Sequence, residues 1–250
     1  MTRLNEPKGE QATLSTLQCS IAYNLYGGYC VPKSSSHRPA AQTILSYNVW
    51  EPKTIEFMTS NNCDGDIVHA GAYFGDFLPA LSASCSPELK IWAFEPNPEN
   101  YRCAKITLEI NNISNVVLTN AGLGSKKETL SMKTADKDGL SLGGASHILD
   151  NELDEESGIE SIQIVSVDDM VGFKRAVSII QLDVEGHEQE ALIGALKTIR
   201  RCLPIIILEV WPGSTLLSSS WFYENILSLG YQKVCDIHDN SVFKYIKESK

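Results

Sequence analysis

Two glycines and an acid carry the first chemical signal. Gly71 and Gly75 lie in Gly-Ala-Tyr-Phe-Gly-Asp-Phe, directly after the apolar run Asp66 to Ala70, and Glu95 follows the next apolar run, Ile91 to Phe94. Glycine lets a backbone approach a ligand closely, and a following helix presents free N–H groups in its first turn. An acid at the tip of the neighbouring strand accepts hydrogen bonds from both hydroxyls of a ribose. From Gly75 to Glu95 is 95 − 75 = 20 positions, close to the offset of about 20 residues that nucleoside sites use. Ala72, Tyr73, Asp76, Phe77, Pro96 and Asn97 flank these residues and belong to the same expected pocket. The plainer alternative gives the glycines to strand–helix packing and leaves Glu95 as a solvated loop acid.

The elements needed to position such a site alternate along the chain. Asp66 to Ala70, Ile91 to Phe94, Val116 to Thr119, Val177 to Leu182 and Pro204 to Val210 read as core strands. Helices are expected from Phe77, from Pro98 to about Asn111 with Asn97 as N-cap, over Glu188 to Arg201, and over Leu216 to Leu229 closed by Gly230. Glu128 to Lys133 and Ile162 to Val167 alternate like half-exposed strands, and Tyr231 to Ile237 with Val242 to Ile246 reads as a terminal hairpin. Upstream, Ile21 to Pro32 reads as a hairpin turning at Gly27-Gly28, followed by short helices over Ala40 to Tyr47 and Glu51 to Ser60. His37 and Arg38 lie in a Ser-rich loop, read as solvated, with substrate contact the alternative. The expected organisation is a cap over residues 1–60 and one α/β domain over 61–250, a mostly parallel sheet with helices on both faces. Ligands in such sheets sit at the carboxyl ends of the strands, so Gly71, Glu95, Asn120, Asp183 and Glu209 are expected around one crevice. Asn120-Ala121-Gly122-Leu123-Gly124 is a second turn able to touch a ligand. Asp136 to Gly158 is long, Gly- and acid-rich, and contains His147; it reads as a mobile cover over the acceptor site.

Composition narrows the class. The net charge of −10 argues against nucleic acid as partner, since phosphates call for a basic face. No apolar run approaches the roughly 20 residues of a membrane span, and the polar start is not read as a signal peptide. The seven cysteines are scattered without a Cys-x-x-Cys, which fits reduced thiols and a cytoplasmic setting. A homo-oligomer stays open.

Gly-Ala-Tyr-Phe-Gly, Phe-Glu-Pro-Asn-Pro-Glu and above all Ile-Gln-Leu-Asp-Val-Glu-Gly-His-Glu resemble the FkbM family of S-adenosylmethionine-dependent methyltransferases, over about Asp64 to Pro212. The resemblance implies a Rossmann-like, seven-stranded class I methyltransferase sheet of order 3-2-1-4-5-7-6, S-adenosyl-L-methionine as cofactor, and O-methylation of a sugar or other small molecule. It further implies that Gly71, Ala72 and Gly75 pass under the methionine part, that Glu95 holds the ribose, and that Asn120 and Ala121, with Gly122 beside them, flank the adenine. The chain departs from the family at His69, where an acid is usual. A neutral imidazole still accepts a hydrogen bond, whereas a protonated one repels the cofactor's ammonium; Asp76 is a substitute carboxylate, and a plain core histidine is the alternative for His69.

Transfer to an alcohol requires alignment, desolvation and a general base. Asp183, ending an uncharged strand, is the leading base, followed by Glu185, His187 and His147; helix capping is the alternative for Asp183 and Glu185. Asp183, His187 and Glu209 have no compact ligand spacing, so no metal is expected. The rival readings are an NAD(P)-dependent oxidoreductase, which would want a three-Gly turn that is missing here, and a catalytically silent nucleoside-binding relative.

Overall fold

The computed structural model describes residues 16–62, 64–149, 158–211 and 213–247. The chain opens with the hairpin β1 (Cys19–Asn24) and β2 (Gly27–Pro32), then α1 (Pro39–Leu45) and α2 (Pro52–Asn61). Asn24 pairs with Gly27, so Leu25-Tyr26 makes the turn and Gly27 begins the second strand, in place of the expected Gly27-Gly28 turn. Then come β3 (Asp66–Ala70), α3 (Leu78–Ser84), β4 (Ile91–Phe94), α4 (Pro98–Ile110) and β5 (Val116–Thr119). The start of α4 is fixed locally: the Asn97 side chain accepts from the N–H groups of Glu99 and Asn100, and Pro98 occupies the first turn.

The middle of the chain leaves the main sheet. β6 (Gly122–Leu123), β7 (Glu128–Lys133), β8 (His147–Ile148) and β9 (Ile159–Val165) form a separate four-stranded sheet of order β6-β9-β7-β8. Its alternating sequences supply one apolar face, and Met132, Ile162 and Ile164 form a small core of their own. Within the cover expected over 136–158, His147–Ile148 form β8 and Gly143–Ala145 a 3-10 turn; its acidic stretch from Asp150 to Glu156 lies outside the described residues.

The chain returns through α5 (Val167–Met170), β10 (Val177–Leu182), α6 (Glu188–Ile193), α7 (Leu196–Cys202), β11 (Ile205–Glu209), α8 (Ser220–Asn225), β12 (Tyr231–Ile237) and β13 (Asn240–Tyr245). The single helix expected over Glu188 to Arg201 is two. Asp168 accepts from the N–H groups of Lys197 and Thr198 and caps α7 from outside, and a Cβ on Gly194 would stand 2.0 Å from the Gly124 carbonyl oxygen. Ser219 likewise restarts the chain as α8 by accepting from Phe222 N–H at 3.1 Å, which divides the helix expected over Leu216 to Leu229.

The main sheet has the order β12-β13-β11-β10-β3-β4-β5. Read from β5 and counted along the chain, this is the expected 3-2-1-4-5-7-6, with β13 antiparallel to both neighbours. One face packs on Leu192, Ala195, Ile199 and Phe222; the other packs on Ile55, Met58, Leu78 and Leu81. Buried on both faces, β3, β4 and β10 bring their carboxyl ends side by side. Below them, the buried Asp66 carboxylate joins Arg175, Trp92 Nε1 and the N–H of Lys90. Among the described residues, no helix is long and apolar enough to cross a membrane.

Candidate active site

The turn after β3 is shaped by its contacts with both neighbouring strands. Gly71 N–H and Ala72 N–H donate to the Phe94 carbonyl at 3.2 and 3.0 Å. Gly71 has φ 84°, and a Cβ there would meet the Asp183 carbonyl oxygen at 2.0 Å. Glycine is therefore required on two counts. Gly75 has φ 86° and faces Thr107 and Leu78, so its left-handed backbone calls for glycine while its side-chain neighbours leave only a tight contact.

Glu95 is held between two turns. Its carboxylate accepts from Tyr73 N–H and from Asn97 N–H, each at 2.8 Å. Tyr73 reaches this position with φ 47°. Burial pushes the Glu95 carboxyl up to about 8, against the two N–H groups that favour its charge.

Two hollows meet at this point. A narrow slot of about 30 Å³ is walled by apolar groups that include Phe94, Leu123, Met132, Ile148 and Val184. A wider cavity of about 200 Å³ is lined by Glu51, Asp76, Glu95, Asp183, Glu185, Glu209 and Asp239, with Arg38 as its one cationic side chain among the described residues. Gly71, Glu95, Gly144, Asp183 and Glu185 border both. Crowded carboxyls in a desolvated space resist ionisation. Burial first, and then the charge of Glu51, pushes Asp76 up to about 7. The Asp183 carboxyl is raised by burial and then by Glu209, Glu185, Glu51 and Asp76.

His69 forms part of the floor. Its Nδ1 lies 2.5 Å from Gln181 Oε1, an atom that only accepts, so Nδ1 carries the hydrogen and Nε2 is a bare acceptor. The ring stacks on Phe77 at 5.4 Å. Burial pushes its pKa down to about 4, so the ring is neutral near pH 7 and the repulsion of a cofactor ammonium does not arise. At the rim, Trp211 Nε1–H donates to Glu185 Oε2 at 2.5 Å, and the His147 ring stands edge-on to Trp211 at 5.5 Å.

Of the expected site residues, His69, Gly71, Tyr73, Asp76, Phe77, Glu95, Asp183 and Glu185 line the cavity, and Pro96, Gly122 and His187 line the slot. Ala72, Gly75, Asn97, Asn120, Ala121 and His147 line neither. Asn97 is spent on capping α4, and Asn120 is exposed, donating to the carbonyls of Glu95 and Pro96. Arg38, read as solvated, lines the cavity, while His37 is exposed. Trp50, Glu51 and Asp239 escape a sequence reading because they enter from the residues just before α2 and from the β12–β13 turn, and their own neighbours carry no motif. The Gly143–Ala145 turn lies over Tyr73: a Cβ on Gly143 would stand 2.6 Å from its hydroxyl. Asn100 Nδ2 donates to the Gly143 carbonyl at 3.3 Å. Among the described residues, no three His, Cys, Asp or Glu side chains are arranged to hold a metal ion.

This strand order, with an acid-tipped second strand beside a glycine turn, defines a class I methyltransferase fold. The family model described as the methyltransferase FkbM domain matches residues 69–216, more than half of the chain, and the chain belongs to that family. Its cofactor is S-adenosylmethionine. Among solved structures, methyltransferase FkbM from Methylobacillus flagellatus KT matches with a TM-score of 0.50 and 21% identity, covering 73% of this chain and 44% of that one. The chain thus spans less than half the length of that protein. The T. thermophilus 16S rRNA N2 G1207 methyltransferase, in complex with AdoMet and guanosine, matches with a TM-score of 0.49 and 11% identity, covering 94% and 52% of the two chains. A putative O-methyltransferase from Klebsiella pneumoniae matches with a TM-score of 0.44 and 11% identity over 79% and 81%. No curated protein matches the chain.

Proposed function

We propose that the chain moves the methyl group of S-adenosylmethionine to a hydroxyl of a small molecule or sugar. The observation that carries this is the junction of an apolar slot with an acid-lined cavity at Gly71 and Glu95. The slot suits a flat base, Glu95 at the junction suits a ribose, and the cavity suits a group that is cationic on balance. Arg38 offers a partner for the methionine carboxylate, and His69 and Asp76, which line the same cavity, offer acceptors. The same acids oppose the anionic pyrophosphate of a nicotinamide cofactor, which disfavours the oxidoreductase reading. Together with the net charge of −10 they also disfavour a phosphate-rich nucleic-acid acceptor. The free thiols of Cys19, Cys30, Cys85, Cys103, Cys202 and Cys235 support a cytoplasmic setting.

When bound, the cofactor supplies an electrophilic methyl carbon: the acceptor oxygen bonds to it as the carbon–sulfur bond breaks and its electron pair returns to sulfur. The protein's task is to align the acceptor hydroxyl, exclude water and receive the hydroxyl proton. Asp183 suits the last role, because it borders both hollows and its raised carboxyl makes the ionised form a stronger base. The Gly143–Ala145 turn over Tyr73 covers the junction and limits water. Calorimetry with S-adenosylhomocysteine and with NADH tests the reading, followed by transfer of labelled methyl to hydroxyl acceptors. Binding of NADH with no response to S-adenosylhomocysteine would sink it.

A further inference from the structure

The wider cavity is lined mostly by groups that accept hydrogen bonds. Glu51 at the start of α2, Glu209 at the end of β11 and Asp239 between β12 and β13 come from three separate elements and line the same cavity. Burial, and then the charges of Glu51, Glu185, Asp239 and Glu188, push the Glu209 carboxyl up to about 7. Neighbouring carboxyls that suppress one another's ionisation are relieved by a cation. Trp50, next to Glu51 in the chain, also lines the cavity, and its indole is the kind of group that stabilises a nearby cation.

A second mark of a ligand is independent of these acids. His69 is 2% exposed, lines the same cavity, and its Nε2 has no partner among the described residues. A bare, buried acceptor calls for an N–H or O–H donor, and the cofactor's ammonium is one such donor, so this histidine marks the cavity as one that takes a donor-bearing, cationic ligand. Seven carboxylates and this imidazole stand against one cationic side chain, Arg38. Burial and mutual repulsion keep several of the seven carboxyls protonated in the empty cavity, and a cation draws those protons off. S-adenosylmethionine brings a sulfonium, an ammonium and a carboxylate, one positive charge on balance, so carboxyls beyond those it ionises remain for the acceptor. A neutral sugar needs donors and acceptors in comparable number, and a phosphate or carboxylate is repelled. An ammonium needs acceptors alone.

We propose that the acceptor carries a protonated amine near the hydroxyl that is methylated, as in an amino alcohol or amino sugar, held by Glu51, Glu209 and Asp239. This rests on the methyltransferase reading above. The methyl still goes to oxygen, with the hydroxyl proton passing to Asp183, while the charged nitrogen serves as the handle.

The test starts with calorimetry of the full chain against S-adenosylhomocysteine; absence of binding overturns the methyltransferase reading and the proposal with it. With that binding in hand, methyl-labelled S-adenosylmethionine is offered with glucosamine, galactosamine and simple amino alcohols. Their N-acetyl forms, the parent neutral alcohols and sugar phosphates are run alongside, and products are read by mass spectrometry. Label on the oxygen of free-amine members, at least tenfold above their N-acetyl partners, is the expected result. Label confined to neutral or anionic members, or to none, overturns it. Transfer that EDTA abolishes and magnesium restores would give the acids to a metal ion and also overturn it. Glu209→Gln and Glu51→Gln should raise KM for the amine acceptor by about 10- to 100-fold, with kcat and S-adenosylhomocysteine affinity little changed. An unchanged KM in both variants counts against the amine handle.

Discussion

Gly71 and Asp183 approach so closely that a Cβ on the glycine would lie 2.0 Å from the aspartate's carbonyl oxygen. The turn after β3 and the end of β10 are thereby locked together, and Asp183 N–H donates back to the Ala70 carbonyl at 3.1 Å. This contact sets the common border of slot and cavity.

Gly71→Ala should therefore damage both stability and cofactor binding. The left-handed backbone alone costs a non-glycine residue about 1–3 kcal/mol, and the clash is with backbone that cannot swing aside. Gly75→Ala has the same backbone strain, but its nearest neighbours are Thr107 Cγ2 at 3.2 Å and Leu78 Cδ1 at 3.3 Å. It should lower the melting temperature while leaving S-adenosylhomocysteine affinity closer to wild type. Equal binding losses in the two variants would contradict the separation of their roles.

Glu95→Ala should weaken S-adenosylhomocysteine binding by about 10- to 150-fold, the loss of a hydrogen bond to a charged group worth about 1.5–3 kcal/mol. It also leaves Tyr73 N–H and Asn97 N–H without their carboxylate, so the melting temperature should fall as well. Glu95→Gln separates the effects, because an amide oxygen still accepts one of the two. Calorimetry that finds Glu95→Ala as tight as wild type would remove Glu95 from the ribose.

Stability of the cofactor-free protein should peak in mildly acid solution. Glu95 is raised to about 8, and Asp76 and Glu209 to about 7. A carboxyl raised on folding binds more protons in the native state, so its contribution is full below the unfolded value near 4 and is lost as pH climbs through the folded value. Asp66 acts in the opposite direction. Burial alone would raise it, but hydrogen bonds from Arg175, Trp92 and Lys90 together hold it below its ordinary value. Its contribution is present above the unfolded value and lost as pH falls through the folded one. Melting curves from about pH 3 to pH 9 should show a maximum near pH 4 and a continuous fall toward pH 8, partly reversed by S-adenosylmethionine. A profile still rising at pH 8 without ligand would contradict these shifts.

The parallel core was legible because its strands announce themselves. Asp66–Ala70, Ile91–Phe94, Val116–Thr119 and Val177–Leu182 fall where the apolar runs stand, since central strands are mostly apolar and the few polar side chains among them, such as His69 and Gln181, are hydrogen-bonded to each other. Helix breaks were not legible. Nothing near Gly194 in the sequence reveals that Asp168, some thirty residues earlier, caps α7. Glu128–Lys133 shows the alternation of a half-exposed strand but not the sheet it joins, which pairing with Ile159–Val165 decides. The site divides the same way. Glu95 and Gly71 follow from spacing, whereas Glu51, Trp50 and Asp239 reach the cavity only through tertiary packing. The His69–Gln181 pair, 112 positions apart, explains a neutral histidine that spacing leaves ambiguous.

Asp183→Asn should slow methyl transfer by about 10²–10⁴-fold, the usual cost of losing a general base. The change keeps side-chain shape and the backbone contact with Gly71, so S-adenosylhomocysteine affinity should move far less than the rate. His69→Ala should do the reverse: it removes the Nε2 acceptor on the cavity floor and the stack on Phe77, so binding weakens while the step that follows binding is better preserved. The pH dependence adds a second readout. Burial and the surrounding carboxylates hold the Asp183 carboxyl well above its ordinary value, so the single-turnover rate should rise with pH as the base ionises, and that rise should vanish in Asp183→Asn. Cofactor bound nearby favours the ionised form and should shift the rise to lower pH at saturating S-adenosylmethionine. Both variants are compared by calorimetry and single-turnover transfer across this pH range. Transfer by Asp183→Asn at the wild-type rate would move the base to Glu185, which borders the same cavity, or to His187 on the slot side; His147, which lines neither hollow, would follow only after those two.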